Sequence, residues 1–538
     1  MNKQKNTLLK GTAIIAMAGF ISKFLGLIYR AFLGRVIGDQ GFGLYEKAYP
    51  VYTIILTVST VAIPVAISKL ISEKRAQGRK DIADYIFKVA LSFSLIFGLI
   101  ASISIALLAK PISRYLLDDI RVFYSVLAIA PAIFIVSIMA TYRGYFQGYQ
   151  EMRPTAISQV VEQIIRMISM ILLAYLLLPY GIELGAAGAA SGAFFGSVAG
   201  LTVVLIIYYQ FQSNREELNG AELDKPPVKE VLHKIISLAI PITIGALILP
   251  LMRMIDATMI TPRLKVAGFS LEEATSLYGQ FNGMAMTLVR FPTVIAASLA
   301  VNLVPAISES YALGSDKLTK SRISKAFKLA LYVSIPSSIG LFILARPLCK
   351  MIFANEQAAV SLRYVSFGVI AVSLQQVTSS ILQGVGKTKL PARNLFFGAS
   401  LNIILNYTLT AIPTLGIRGA ALGTVAGFTL AALLNMIGVF NVVKPDFNYN
   451  NLIIKPLFSG IIMLIAIFSS YKLLSTYLGD DSFIILSFNT LSTVFIGVII
   501  YGGMLLLTKG ITKDDLKLIP KVGSKLANLL DKLGLVRG

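Results

Sequence analysis

The side chains best placed to do chemistry in this sequence are charges lodged in apolar runs. Lys23 and Arg30 lie with Gly19 and Gly26 at spacings of four, three and four, on one stripe of a helix. Two cations about two turns apart on a glycine-cleared face suit the close approach of a bulky anion. The competing reading is that both snorkel to opposite interfaces, which is easier for Arg30 near the end of its run than for Lys23 near the middle. Arg253 and Asp256 are three apart, neighbours on a helix face. They form either an internal ion pair or a pair opened when a substrate anion takes the arginine and a proton or cation takes the aspartate. Arg290 precedes Pro292, which removes a backbone hydrogen bond and predicts a bend. Glu162 and Arg166 make an i,i+4 pair in the favourable order beside Gln159 and Gln163, suited to structural locking or to coupling. Asn394, Asn402 and Asn406 share a stripe that serves as interhelical glue or as cavity lining.

Other chemistry is poorly provided for. One histidine, His233, and one cysteine, Cys349, cannot build a zinc site, a Cys/His nucleophile or an intrachain disulfide. Gly386-Lys387-Thr388 resembles the end of a phosphate-binding loop, but Ile381 stands where the first glycine belongs. Asp118, Asp119, Asp480 and Asp481 fall at loops with no supporting residues. No HExxH or GxSxG motif occurs, and no metal or cofactor is expected.

The elements that must position these charges are membrane spans. Of 538 residues, 56% are hydrophobic and only 14% charged, with a mean hydropathy of +0.75. A soluble domain is about a quarter charged. Runs long enough to cross a bilayer recur throughout, and about fourteen all-α spans are expected. The first run carries Lys23 and Arg30 and has no small-x-small site, so it is expected to be a retained span and not a cleaved leader. The net charge of +22 invites a nucleic-acid partner, but lysine and arginine concentrate in alternate loops. That is the positive-inside pattern; it places both termini in the cytoplasm of a multi-pass cell-membrane protein and explains the charge without nucleic acid.

The chain also repeats itself in one orientation. Phe87-Lys88, Ala90-Leu91 and Ala109-Lys110-Pro111 recur as Phe327-Lys328, Ala330-Leu331 and Ala345-Arg346-Pro347. Gln147-Gly148 recurs as Gln383-Gly384, and Gly185-Ala186-Ala187 as Gly419-Ala420-Ala421, always 234 to 240 residues on. Six spans per offset make a parallel repeat. The expected organisation is an N-lobe at 1–210, a polar linker at 211–234, a C-lobe at 235–441, two extra spans within 442–508, and a tail at 509–538. The tail's Lys513, Lys517, Lys521 and Lys525, opposite Leu516, Ile519, Leu526 and Leu530, read as an amphipathic helix on an anionic leaflet.

Short blocks then carry a resemblance: Leu9-Lys10-Gly11-Thr12, Ser22-Lys23-Phe24-Leu25-Gly26, Pro64–Lys69, and above all Arg143-Gly144-Tyr145-Phe146-Gln147-Gly148 followed by Pro154-Thr155-Ala156 and Ser158–Gln163. Over most of residues 1–440 the chain resembles the polysaccharide-flippase branch of the MOP superfamily, in particular its MurJ-like and SpoVB-like members. The resemblance implies two six-helix lobes with two extra helices and a cationic cavity. It further implies flipping of an undecaprenyl-pyrophosphate-linked glycan, such as lipid II, from inner to outer leaflet. Lys23 matches the cavity cation of the first helix, Arg30 matches a second with a one-residue shift, and Arg290 lies on the right helix without the usual Asp-Arg neighbourhood. The second-helix arginines of Gram-negative members have no counterpart in Thr57–Ser68.

On this reading Lys23, Arg30, Arg253 and Arg290 bind the anionic substrate, while Asp256, Glu162 and Arg166 couple or lock. Drive would come from the membrane potential, H+ or Na+, and a monomer in the bilayer suffices. The competing readings are a flippase for another polysaccharide or spore-wall unit, a cation-coupled drug exporter, and a membrane glycosyltransferase.

Overall fold

With no water to satisfy backbone groups in hydrocarbon, apolar runs resolve into helices. The computed structural model describes residues 2–213 and 225–512; the side chains of residues 1–16 and of Phe20, Lys23 and Leu27 also lie outside the described set. The tail with Lys513, Lys517, Lys521 and Lys525 therefore falls outside it, as do residues 214–224 of the linker. The described residues are all-helical apart from short turns. The helices are α1 (Asn2–Thr57), α2 (Ile63–Ala76), α3 (Lys80–Pro111), α4 (Phe123–Gly148), α5 (Arg153–Leu177), α6 (Ile182–Ser213), α7 (Val228–Val266), α8 (Leu271–Tyr278) and α9 (Met286–Ala312). They continue with α10 (Asp316–Ile343), α11 (Ala345–Phe353), α12 (Ala358–Val365), α13 (Gly368–Gly384), α14 (Lys389–Leu409), α15 (Ile417–Val443), α16 (Lys455–Leu478) and α17 (Phe483–Leu507).

Eleven helical segments among the described residues are long and apolar enough to span a membrane, and twelve if the bent pair α12–α13 counts as one. The protein is multi-pass; the count of about fourteen is not reached this way, for two physical reasons. The first segment, Met17–Ala76, runs 60 residues and holds two of the expected spans. Gly38 breaks it, with φ 64° and ψ −171°, a conformation open only to glycine. The asparagine-bearing α14 is not among the apolar candidates.

Two compact units meet in sequence at Gly283/Met284. In the first, Ile67, Ile71, Phe87, Tyr145 and Phe146 form the buried core of α2, α3 and α4. In the second, Ile307, Phe327, Ile381 and Val439 do the same for α9, α10, α13 and α15. One contact recurs in detail. A Cβ on Gly148 would fall 2.8 Å from the Ile71 Cβ, and a Cβ on Gly384 2.8 Å from the Ile307 Cβ. Gly148 and Gly384, like Ile71 and Ile307, are each 236 residues apart.

The bend expected at Pro292 is displaced. Pro292 sits inside continuous α9, and the irregular backbone is the π-helical stretch Gly279–Ala285 just before it. A π-bulge inserts the extra residue that kinks a span, and Pro292 lies past the first turn of α9, where its missing N–H removes an intrahelical hydrogen bond.

Candidate functional site

In a straight helix, residues sixteen apart lie about 24 Å apart. Arg30 Nη2 is nevertheless 2.8 Å from Glu46 Oε1, because the chain folds back at Gly38 and brings the returning arm of α1 alongside the first. Both side chains are buried. Asn282 in the π-helical stretch donates to Glu46 Oε2 at 3.0 Å and to the Tyr278 hydroxyl at 3.2 Å. Arg30 thus neither snorkels nor stands bare; it is held in place by a carboxylate that itself is hydrogen-bonded, the arrangement a buried charge requires.

The returning arm presents Tyr45, Tyr49 and Tyr52 on one face, with ring centroids 5.5 and 5.9 Å apart. Tyr49, half-buried, stands between the other two rings. Arg166 Nη2 donates to the Tyr52 hydroxyl at 3.2 Å and to Glu162 Oε1 at 2.8 Å. Glu162 also accepts from Arg143 Nη2 at 2.9 Å, and Arg143 donates to Ser158 at 2.6 Å. This chain of charges sits where two backbones nearly touch. On α6, Gly188, Gly192, Gly196 and Gly200 face α5, and a Cβ on Gly196 would lie 2.7 Å from the Arg166 Cβ and 2.8 Å from the Glu162 carbonyl. The small-residue stripe lets α6 press on α5 and orients Glu162 and Arg166 toward α1.

The other candidates are distributed differently. Arg253 and Asp256 stand half-buried on α7, and the ion pair their spacing allows is not formed; Arg253 has no carboxylate within 4.0 Å among the described residues. Asp256 and Arg290 each keep a polar or ring contact of their own, Arg290 in the second compact unit. The side chain of Lys23 lies outside the described residues. In α14 the asparagine stripe is glue. Asn394 donates to Asn435 at 3.0 Å, Asn435 to Ser379 at 2.9 Å, and Asn402 to Thr424 at 3.2 Å, all buried among α13, α14 and α15.

A second buried network was not signalled by any motif. Lys47, fully buried, donates to Asp119 Oδ2 and Thr275 Oγ1, both at 3.1 Å, and Arg121 Nε and Nη2 hold the two Asp119 oxygens at 2.9 Å. Burial alone would raise the Asp119 pKa, but hydrogen bonds from Arg121 and the charges of Lys47 and Arg121 outweigh it and hold the carboxyl at about 2. Asp118 pairs with Lys265 at 2.8 Å, and Asp480 accepts from Tyr471 and Asn489. Asp118, Asp119 and Asp480 are therefore committed to structure. The Cys349 thiol is buried and pushed up to about 12, without nucleophilic character. No cluster of three or more metal-ligating side chains occurs among the described residues. Glu46, Lys47 and Arg143 are the members that spacing alone misses, since their partners lie on other helices.

Comparison with known proteins bears on this arrangement. Residues 8–311 match the family described as Polysaccharide biosynthesis protein, and residues 282–408 match MatE. Stage V sporulation protein B of Bacillus subtilis is 30% identical over 96% of this chain and 99% of its own. Lipid II flippase MurJ of Bacillus subtilis is 28% identical over 80% of this chain and 82% of its own. Among solved structures, lipid II flippase MurJ in an inward closed conformation superposes with a TM-score of 0.65 at 16% identity, covering 91% of this chain and 98% of that one. An inward-facing multidrug resistance MATE family transporter of the MOP superfamily gives 0.66 at 16% identity, covering 79% and 94%. By their names MurJ is a flippase and the MATE protein a transporter. The chain belongs to the family described as Polysaccharide biosynthesis protein.

Proposed function

We propose that this protein moves an undecaprenyl-pyrophosphate-linked glycan from the inner to the outer leaflet by alternating access, with lipid II the first substrate to test. The observation that carries this reading is the set of buried guanidinium groups on α1 and α5, Arg30 paired with Glu46 and Arg166 with Glu162 and Tyr52, with Arg253 half-buried on α7. A pyrophosphate cannot enter hydrocarbon bare, and guanidinium forks replace its hydration with bidentate hydrogen bonds. Arg253, with no carboxylate partner among the described residues, is the member ready to receive it. Lys23 and Arg290 are further substrate cations that the resemblance implies. The prenyl tail stays in lipid.

Alternating access would rock the expected lobes, 1–210 and 235–441, with both termini cytoplasmic and a monomer as the working unit. Drive would come from the membrane potential, worth about 2.3 kcal/mol per charge per 100 mV, or from H+ or Na+. Asp256 and Glu162 are the carboxylates to which this reading gives the coupling role. The test is complementation of a strain depleted of its lipid II flippase. Rescue supports the assignment; failure of correctly inserted protein to rescue removes lipid II and leaves another glycan.

A second reading has its own support. The relative at 30% identity over nearly the whole chain is a stage V sporulation protein, which favours a glycan assembled during sporulation. Flipping activity confined to spore-forming cells would select it.

A further inference from the structure

The second compact unit holds two cavities that share a wall and differ sharply in chemistry. One, of about 360 Å³, is lined by Lys317, Lys320, Lys325 and Lys328 with Asp446 as its one carboxylate. The four lysines are spaced three, five and three, along one face of the first three turns of α10. Lys320 reaches Asp446 at 3.4 Å, which offsets one of the four charges. The other cavity, of about 350 Å³, is almost wholly apolar and is lined by Phe327, Leu331, Ile335, Leu374, Phe440 and Leu457, among others. Leu452 borders both, so the segment between α15 and α16 walls the cationic cavity on one side and the apolar groove on the other. Along α10 the change from lysine to phenylalanine and leucine takes one turn.

A cationic pocket opening onto an apolar groove within one helix is complementary to an amphiphile with an anionic head. The first unit carries a related groove. There α3, whose Phe87-Lys88 is the counterpart of Phe327-Lys328, lines an apolar cavity with Phe93, Ile96, Ile100 and Val228. Its neighbouring polar cavity sets Glu73 among Lys69, Lys74 and Lys234. The second unit's pocket is the more positive of the two, with four lysines against one carboxylate where the first has three.

We infer that the α10 lysines and the adjoining groove form a binding site for an anionic phospholipid of the surrounding bilayer, with the headgroup phosphate on Lys317, Lys320 and Lys325 and one acyl chain along Phe327, Leu331 and Leu457. The site is separate from the arginine cluster of the first unit. Each lysine near an anionic surface contributes attraction that a zwitterionic headgroup does not draw on.

The test is native mass spectrometry of the full chain in detergent, titrated with phosphatidylglycerol and with phosphatidylcholine. The expected result is preference for phosphatidylglycerol. The triple variant Lys317→Gln, Lys320→Gln, Lys325→Gln should lose about tenfold in that affinity, while the triple arginine replacement retains it. Leu374→Trp, which fills the groove, should weaken both lipids. Equal binding of the two lipids by the unaltered protein, or undiminished phosphatidylglycerol binding by the glutamine variant, overturns the site. Displacement of phosphatidylglycerol by undecaprenyl pyrophosphate, itself weakened by the glutamine variant, overturns the choice of ligand and assigns the lysines to substrate.

Discussion

Arg30 and Glu46 meet at 2.8 Å although sixteen residues of one continuous helical stretch separate them, so the turn at Gly38 and this ion pair define each other. Removing one member of a buried pair leaves the other charge unpaired, at about 3–5 kcal/mol. Glu46→Ala should therefore lower the thermal unfolding midpoint of detergent-purified protein and abolish transport. The double variant Arg30→Met, Glu46→Leu should recover the midpoint without recovering flipping. Recovery of both would strip Arg30 of any role with substrate.

Gly38 itself permits a sharper test. A side chain at φ 64°, ψ −171° is strained by about 1–3 kcal/mol. Gly38→Ala should reduce stability by that order, measured by thermal unfolding, whereas Gly19→Ala, with open space around its Cβ, should be silent.

Arg253 has no carboxylate to hold it, so its removal should leave the fold alone. Arg253→Ala is expected to keep the unfolding midpoint and to lower flipping in a proteoliposome assay. Arg166→Ala, which leaves Glu162 to Arg143 alone and removes the donor to Tyr52, should lower both. Lys23→Ala should behave like Arg253→Ala; undiminished flipping by either variant would take that residue out of the substrate path.

The α5–α6 contact predicts a packing defect without any change of charge. Gly196→Ala places a methyl 2.7 Å from the Arg166 Cβ. Overpacking of this kind costs about 1–3 kcal/mol. Loss of stability together with reduced transport is expected, read from unfolding curves and the same proteoliposome assay.

Asp119 makes stability pH-dependent. Its folded pKa of about 2 lies below the unfolded value of 3.8, so the stabilisation is complete above about pH 5 and declines as the pH falls toward 2. The difference corresponds to roughly 2 kcal/mol. Asp119→Asn should lower the midpoint at pH 7 and converge with the unaltered protein near pH 2. A constant gap across that range would refute the linkage.

What the sequence discloses depends on how far apart the partners lie. Glu162 and Arg166 are four residues apart on one helix, and the structure places them at 2.8 Å. Arg253 and Asp256 are just as close in sequence, yet they form no ion pair, because tertiary neighbours decide which of several rotamers wins. Glu46 and Lys47 are adjacent and looked unremarkable. Their partners are Arg30 across a chain reversal and Asp119 some 72 residues on, which no periodicity reveals. The single long segment Met17–Ala76 hides a turn for the same reason: one glycine, set in otherwise helical sequence, reverses the chain.

The repeat has one more consequence. Arg143, Ser158 and Arg166 stand 236 residues before Ser379, Asn394 and Asn402. In the first unit these positions carry a web of charge; in the second the same places hold neutral amides and hydroxyls, Asn394 and Ser379 joined through Asn435 and Asn402 bonded to Thr424. The protein thus contains its own control. Its second half closes the helix contacts at these positions without ions. Writing the amide set into the first half would show what the charges were retained to do.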